Sequence, residues 1–239
     1  MADKKKASHN RLPRNFHKTF VPERQYLHKM LRFAARDGSG DIQAIAAETG
    51  IPTGASSGKV APTLDYCRGM GLIQLPETRS AIKKPELTPF GRAVLLEDPF
   101  LKEPLTQWIC HLNLCDRNNG AEIWCQMFCN GSIRLGMSFD RDNLEDWLAS
   151  SCNVSKGGLI GPMIRMYEDD ASFKVCGVLS ESNGRILQKT APINEAMALG
   201  YGAWIISLME SIAKVGSQIT VTELEEKCGW RAIAGWNVM

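Results

Sequence analysis

The first helical stripe of apolar positions lies in "ERQYLHKMLRFAARDG", where Leu27, Met30, Leu31 and Ala34 fall at i, i+3, i+4 and i+7. That spacing predicts one amphipathic helix, ended by Gly38. Asp41 is placed to cap a second, short helix, "IQAIAAE", with Ile42, Ile45 and Ala46 facing inward. Thr49 to Gly54 read as a turn, because Gly50 and Gly54 supply flexible backbone and Pro52 stiffens it. A third helix starts between Ser57 and Pro62. Val60, Leu64 and Cys67 carry its stripe, and "RGMGLI" closes it.

After this helix the period changes. "GLIQLP" reads as a short strand, "ETRSAIKKPE" as a loop, and "LTPFGRAVLLEDP" as a return strand feeding a helix. Thr88 followed by Pro89 is a helix start: a capping hydroxyl, then proline at the first helical position. Helix, short helix, turn, helix and a two-stranded basic loop is the order of a winged helix-turn-helix. We therefore assign residues 1–15 to a basic flexible arm and residues 16–98 to a winged helix-turn-helix domain.

Residues 99–190 form a mainly helical middle domain, with "LTQWICHLNLC", "GAEIWCQMFC" and "FDRDNLEDWLASSC" as helices that each carry a tryptophan. "ASFKVCGVLSE" reads either as a strand pair or as a loop on that helical unit. Residues 191–239 form a C-terminal helical unit, in which an apolar helix over 194–215 contains Trp204, Ile205, Leu208, Met209 and Ile212. "ITVTELEEKCGW" then has capping-box spacing, Thr220 with Glu223, and a stop at Gly229. This repeats the N-terminal order as a partial second helix-turn-helix. The chain reaches Met239 before a third helix is complete, and is expected to be a shortened form of a longer protein. The fold class is mainly α.

Charge divides the chain further. Residues 1–92 hold 16 Lys and Arg against 8 Asp and Glu, whereas residues 93–239 hold 12 against 18. A basic front half suits a polyanion, although Lys4, Lys5, Lys6, Arg11 and Arg14 would give the same excess as a solvated tail. No run approaches the roughly 18 apolar residues of a membrane span. The basic N-terminus lacks the apolar core of a secretory signal, so a cytoplasmic location with eight reduced cysteines is expected.

"TGIPTGASSGKV", residues 49–60, invites a nucleotide-loop reading. A Walker loop needs G-x-x-x-x-G-K-[ST] after a buried strand. Here Thr53 stands where the first glycine belongs, Val60 stands where the metal-binding hydroxyl belongs, and a helical segment precedes. The same residues suit a DNA phosphate at a helix N-terminus. Ser56 and Ser57 offer hydroxyls, Lys59 a charge on the first turn, and Thr63 lies one turn further along. Arg79, Lys83 and Lys84 on the wing can grip the flanking backbone. A winged helix that mediates only protein contacts is the alternative.

Other chemistry is sparse. Cys110, His111, Cys115, Cys125 and Cys129 cluster, but the intervals are not those of paired zinc ligands and the context is apolar and helical, which suits buried thiols. The four histidines, His9, His17, His28 and His111, make no Ser/His/Asp order. "YEDD" at 167–170 and the group Asp140, Asp142, Glu145 and Asp146 read as a solvated turn and an acidic first helical turn. No catalytic residue, metal or cofactor is expected.

The stretches "FHKTFVPERQYLHKML", "TGIPTGASSGKVAPTLDYCRGMGLI", "LTPFGRAVLLEDPFL", "LTQWICHLNLC" and "GAEIWCQMF" cover residues 16–128 densely. In them the chain resembles a prokaryotic domain family of unknown function, encoded in anti-phage defence islands beside DNA-phosphorothioation genes of the PAPS-reductase-like and cysteine-desulfurase kind. The resemblance implies a DNA context and offers no catalytic residue. Its neighbourhood also raises sulfur relay by a thiol such as Cys115 or Cys129. We expect a DNA-binding regulator or DNA-handling accessory subunit of that system, whose partners are duplex DNA and DNA-sulfur-modification proteins. A non-catalytic protein–protein adaptor is the alternative, and a dimer is compatible with either.

Overall fold

The structure, a computed structural model, describes residues 11–54, 57–76, 80–153, 160–214 and 216–236. Helix α1 (Arg24–Ala35) buries Leu27, Met30, Leu31 and Ala34, so the expected stripe is the core stripe. Helix α2 (Ile42–Thr49) is capped by Asp41, whose carboxylate accepts from the Ala44 amide at 2.8 Å, and it ends on Gly50 at φ 64°. Residue 50 suits glycine because a side chain in this left-handed conformation meets its own backbone. After the 50–59 turn, α3 (Val60–Gly69) packs Val60, Leu64 and Cys67 inward.

Strands β1 (Ile73–Gln74) and β2 (Glu86–Leu87) pair antiparallel, with Ile73 opposite Leu87 and Gln74 opposite Glu86. The loop joining them is tied to the α1–α2 link, since Gly40 and Lys83 exchange both backbone bonds. Thr88 caps α4 (Pro89–Glu97) by accepting from the Gly91 amide at 2.9 Å, with proline at the helix start. A Cβ at Gly91 would lie 1.9 Å from the Leu72 carbonyl oxygen, so only glycine lets α4 approach β1 this closely.

The middle section begins with α5 (Pro104–Leu114), and both Asp98 carboxylate oxygens receive amides from Lys102 and Glu103 just ahead of that helix. Helix α6 (Glu122–Cys125) continues into a π-turn over Gln126–Asn130, followed by α7 (Ser132–Leu135). Strand β3 (Ser138–Phe139) precedes α8 (Arg141–Cys152), capped by Asp140, and α9 (Ile160–Glu168) comes next. After a 3-10 turn at Lys174–Cys176, β4 (Leu179–Ser182) and β5 (Arg185–Gln188) close an antiparallel sheet in the order β3-β5-β4. "ASFKVCGVLSE" thus divides between a turn and a strand. The β4–β5 connection is Asn183-Gly184, both at positive φ, the two-residue turn whose twist matches that of paired strands.

The C-terminal unit comprises α10 (Glu195–Ile212), α11 (Val221–Cys228) and α12 (Trp230–Ala234). Thr220 and Glu223 form the expected capping box, and Gly229 stops α11 at φ 64°. Trp236 is not left in solvent: its Nε1 donates to the Ala191 carbonyl at 2.7 Å and its ring meets Tyr201 edge-on. One apolar cluster runs from Leu12 through α1, α3, α5, α6 and α9 to Ala234. Among the described residues the chain is mainly helical, and no helix is long and apolar enough to cross a membrane.

Candidate nucleic-acid interface

The turn before α3 is closed by its own backbone. Gly54 donates to the Ser57 carbonyl at 2.7 Å, Lys59 donates to the Pro52 carbonyl at 2.8 Å, and Thr53 bridges to Gly58. A Cβ at Gly58 would lie 2.2 Å from Thr53 Oγ1 and 2.7 Å from its Cα, so the loop closes only around glycine. This geometry projects Ser57 into solvent at the N-terminal end of α3.

Helix α1 supplies the surroundings. Lys59 pairs with the Glu23 carboxylate and stands over the Tyr26 ring at 4.9 Å and the Phe20 ring at 5.9 Å. Burial works against its charge, but the Glu23 carboxylate and the Tyr26 phenol together outweigh burial and hold the ammonium above its ordinary value. Lys29 reaches the same place, with Nζ 3.2 Å from the Gly50 carbonyl and 5.6 Å from the Tyr26 ring centre. Two ammonium groups therefore lie against one aromatic ring beside the turn. Lys29 was invisible as a site residue because in sequence it is one more cation on the polar side of an amphipathic helix.

The residues singled out in the sequence separate into three groups. Ser57 and Lys84 are exposed. Lys59 and Lys83 are half-buried and engaged within the chain, Lys83 through its exchange with Gly40 and an Nζ bond to the Ser80 carbonyl at 2.6 Å. Thr63 is buried, at 6% exposure, so its hydroxyl is not on the outer face. Ser56 and Arg79 lie outside the described residues.

Burial extends to the whole body of α3. Seven of its residues are buried, and Ala61, Asp65 and Arg68 are only partly open. Arg68 Nη2 meets the Asp65 carboxylate at 3.2 Å, which places a carboxylate on the one open strip of the helix. Tyr66 packs edge-on against Phe16 and Trp124, so α3 is clamped between the N-terminal segment and the middle section. A helix held in this way leaves Ser57, ahead of its first turn, in solvent and keeps its body covered.

The middle section has a different character. His111, Tyr167 and Trp124 form a buried polar chain: Trp124 Nε1 donates to Tyr167 Oη at 3.0 Å, and Tyr167 lies 2.7 Å from His111 Nδ1. Burial pushes His111 down to about 3, so the imidazole is neutral and Nδ1 accepts the phenol proton. These groups have no route to solvent and serve as core. All eight cysteines are free and buried, and among the described residues no three His, Cys, Asp or Glu side chains are grouped to hold a metal ion. A groove of about 460 Å³ between α1, the β1–β2 hairpin and α4 is lined by Asp37, Gln74, Glu86, Arg92 and Leu96, with no histidine, cysteine or serine.

Comparison with known proteins adds a family. The profile described as "Protein of unknown function (DUF4007)" matches residues 15–161, and the chain belongs to that family. No curated protein matches it. A solved structure titled "Magnesium ion-bound SspB crystal structure" is similar with a TM-score of 0.68 at 17% identity, over 92% of this chain and 72% of that one. At that identity the likeness concerns the fold.

Proposed function

We propose that this DUF4007 protein is a non-catalytic DNA-binding accessory subunit of a DNA-phosphorothioation or defence system. It grips duplex DNA through a winged helix-turn-helix made by α1, α2, the 50–59 turn, α3 and the β1–β2 hairpin. The observation that carries this reading is the exposed turn bearing Ser57 beside Lys29 and Lys59, with Lys84 exposed on the hairpin loop. Hydroxyls, amides and ammonium groups at a helix N-terminus are phosphate ligands. The burial of α3 refines the mode of binding. A helix that cannot enter the major groove along its length contacts the backbone, so binding should be nearly independent of sequence, as suits a DNA-handling subunit better than an operator-reading repressor.

The magnesium in the similar structure's title belongs to that protein. Among the described residues of this chain no three His, Cys, Asp or Glu side chains are grouped to hold such an ion.

The test is duplex affinity measured against salt for two unrelated sequences. Affinity should fall steeply with salt and alike for both. Ser57→Asp with Lys84→Glu, both at exposed positions, should weaken both and flatten the slope. A strong preference for one sequence would overturn the backbone mode, and no binding to any duplex at low salt would leave the adaptor. The adaptor has its own support in the apolar residues exposed on α10, Leu199 at 89% and Ile206 at 57%.

A further inference from the structure

Cysteines Cys125 and Cys129 stand one helical turn apart where α6 runs into the π-turn. Helices widen into π-turns disproportionately at functional sites, and here the widening is read in the Gly131 amide bonding to the Gln126 carbonyl at 2.8 Å. Arg117 approaches from the loop after α5, placing Nε 3.2 Å from Cys129 Sγ while Nη1 holds the Glu226 carbonyl at 3.1 Å. The α11–α12 junction makes room for this assembly. A Cβ at Gly229 would lie 2.7 Å from Cys129 Sγ and 2.8 Å from Arg117 Nη2.

The neighbouring Cys125 thiol is the largest influence lowering the Cys129 thiol, burial opposes it, and Arg117 lowers it further. Glu225 on α11 brings like charge, yet the direction for Cys129 stays downward while Cys115, Cys125, Cys152 and Cys176 are all pushed up. A guanidinium hydrogen-bonded to a sulfur is the setting in which a thiol becomes a nucleophile. Access is narrow. Cys129 is 4% exposed, which admits a small oxidant and excludes a bulky one.

We propose that Cys129 and Cys125 form a thiol–disulfide site for a small peroxide, with Arg117 as the group that holds the attacking sulfur as thiolate. The Cys129 thiolate attacks the terminal oxygen of ROOH. An S–O bond forms, the O–O bond breaks, and the leaving alkoxide takes a proton from water to give ROH and Cys129 sulfenic acid. The Cys125 sulfur then attacks the sulfenic sulfur. An S–S bond forms, the S–O bond breaks, and hydroxide leaves with the Cys125 proton as water. Two thiols are oxidised and one peroxide is reduced. The two sulfurs must close to bonding distance, so the disulfide reshapes the π-turn. Oxidation also removes the thiolate that Arg117 faces, and Arg117 is the link to α11. The site makes no use of the DNA-binding reading.

The experiment treats the folded chain with hydrogen peroxide near equimolar, quenches it in acid, and maps each cysteine by mass spectrometry. Cys125 and Cys129 should lose two hydrogens as a linked pair, roughly tenfold faster than Cys176 is oxidised, because nucleophilic rate tracks thiolate fraction. Cys152 and Cys176 are comparably accessible, at 3% and 7%, so they separate thiolate character from exposure. Cys125→Ser should leave a sulfenic acid at Cys129, read in the mass spectrum as one added oxygen, and Arg117→Gln should slow the step about tenfold, the effect of one pK unit on thiolate fraction. Circular dichroism establishes that each variant is folded. Cys152 or Cys176 oxidising as fast as Cys129, an inert Cys129 in the folded chain, or a folded Arg117→Gln variant with unchanged rate would each overturn the proposal.

Discussion

The two ends of the chain use the same local grammar and reach different outcomes. At the N-terminal side α1 is followed by α2, capped by Asp41 and stopped by Gly50. At the C-terminal side α10 is followed by α11, capped by Thr220 and stopped by Gly229, and both glycines sit at φ 64°. Beyond the two glycines the chain behaves differently. Gly54 closes on Ser57 and Lys59 on Pro52, leaving Ser57 in solvent before α3 begins, whereas α12 starts at Trp230 directly after Gly229, whose position is sealed against Cys129 and Arg117. The long helices diverge too. α1 presents an apolar stripe that is wholly buried, while α10 is apolar around much of its circumference and buries only Tyr201, Trp204 and Leu208. Caps and stops decide where a helix runs. The intervening loop and the packing of the helix body decide whether its end is available to a partner.

The sharpest way to test that difference is to truncate a buried leucine of α1. Leu31→Ala deletes a side chain with no exposure and should cost about 2–5 kcal/mol in chemical denaturation. A loss as small as that of a surface change would mean that α1 is not the anchor of the N-terminal unit. The stop glycines come next. Gly50→Ala meets only Lys29 Nζ at 3.5 Å and should cost about 1 kcal/mol for the left-handed backbone. Gly229→Ala carries the same backbone strain plus contacts under 3.0 Å with Cys129 and Arg117, and should cost about 1–3 kcal/mol more. Equal losses at the two glycines would mean that the C-terminal junction is not sealed.

Both units rest on α5, since α3 packs on one side of it and α10 on another, and α5 carries His111. Acid therefore tests whether the two ends respond together. His111 titrates at about 3 in the folded chain against 6.5 when free, so between those values the unfolded chain binds a proton that the folded chain does not. Stability is intact above about pH 6.5 and falls as pH drops through that window, by up to about 1.4 kcal/mol per pH unit. His17, also lowered by burial, adds in the same direction. His111→Gln should flatten the acid limb of stability against pH, and an unchanged limb would remove His111 from its cause.

Much of this was legible in the chain. Leu27, Met30, Leu31 and Ala34 declared the core face of α1, and Asp41, Thr88-Pro89 and Thr220 with Glu223 declared three helix starts, because caps and 3.6-residue stripes are local. Asn183-Gly184 also carried a local hairpin signal, but the helical pattern around it favoured a helical reading of residues 99–190. The candidate site was less legible, for a tertiary reason. Periodicity showed which face of α3 is apolar, yet Thr63 is buried too, and Tyr66 and Met70 are held by the N-terminal segment and the middle section, contacts that span more than 40 residues. The partnership of Lys59 with Glu23 and Tyr26 likewise depends on the return of the turn against α1.

The smallest expected effect lies on α10 and is the most informative about partners. Leu199→Ser and Ile206→Ser alter large apolar side chains that are mostly in solvent, so the isolated chain should change by no more than about 0.5 kcal/mol. An apolar helix face of this kind has little reason to stay apolar for the fold alone, because its exposure contributes nothing to the core. If the adaptor reading holds, these two substitutions lower the affinity for a partner protein and leave stability unchanged. If the thermal midpoint of the wild-type chain instead rises with its own concentration and the substitutions abolish that rise, the face joins copies of this chain. A loss above about 1 kcal/mol in the dilute monomer would show that α10 is packed on this side, and the contrast with α1 would fail.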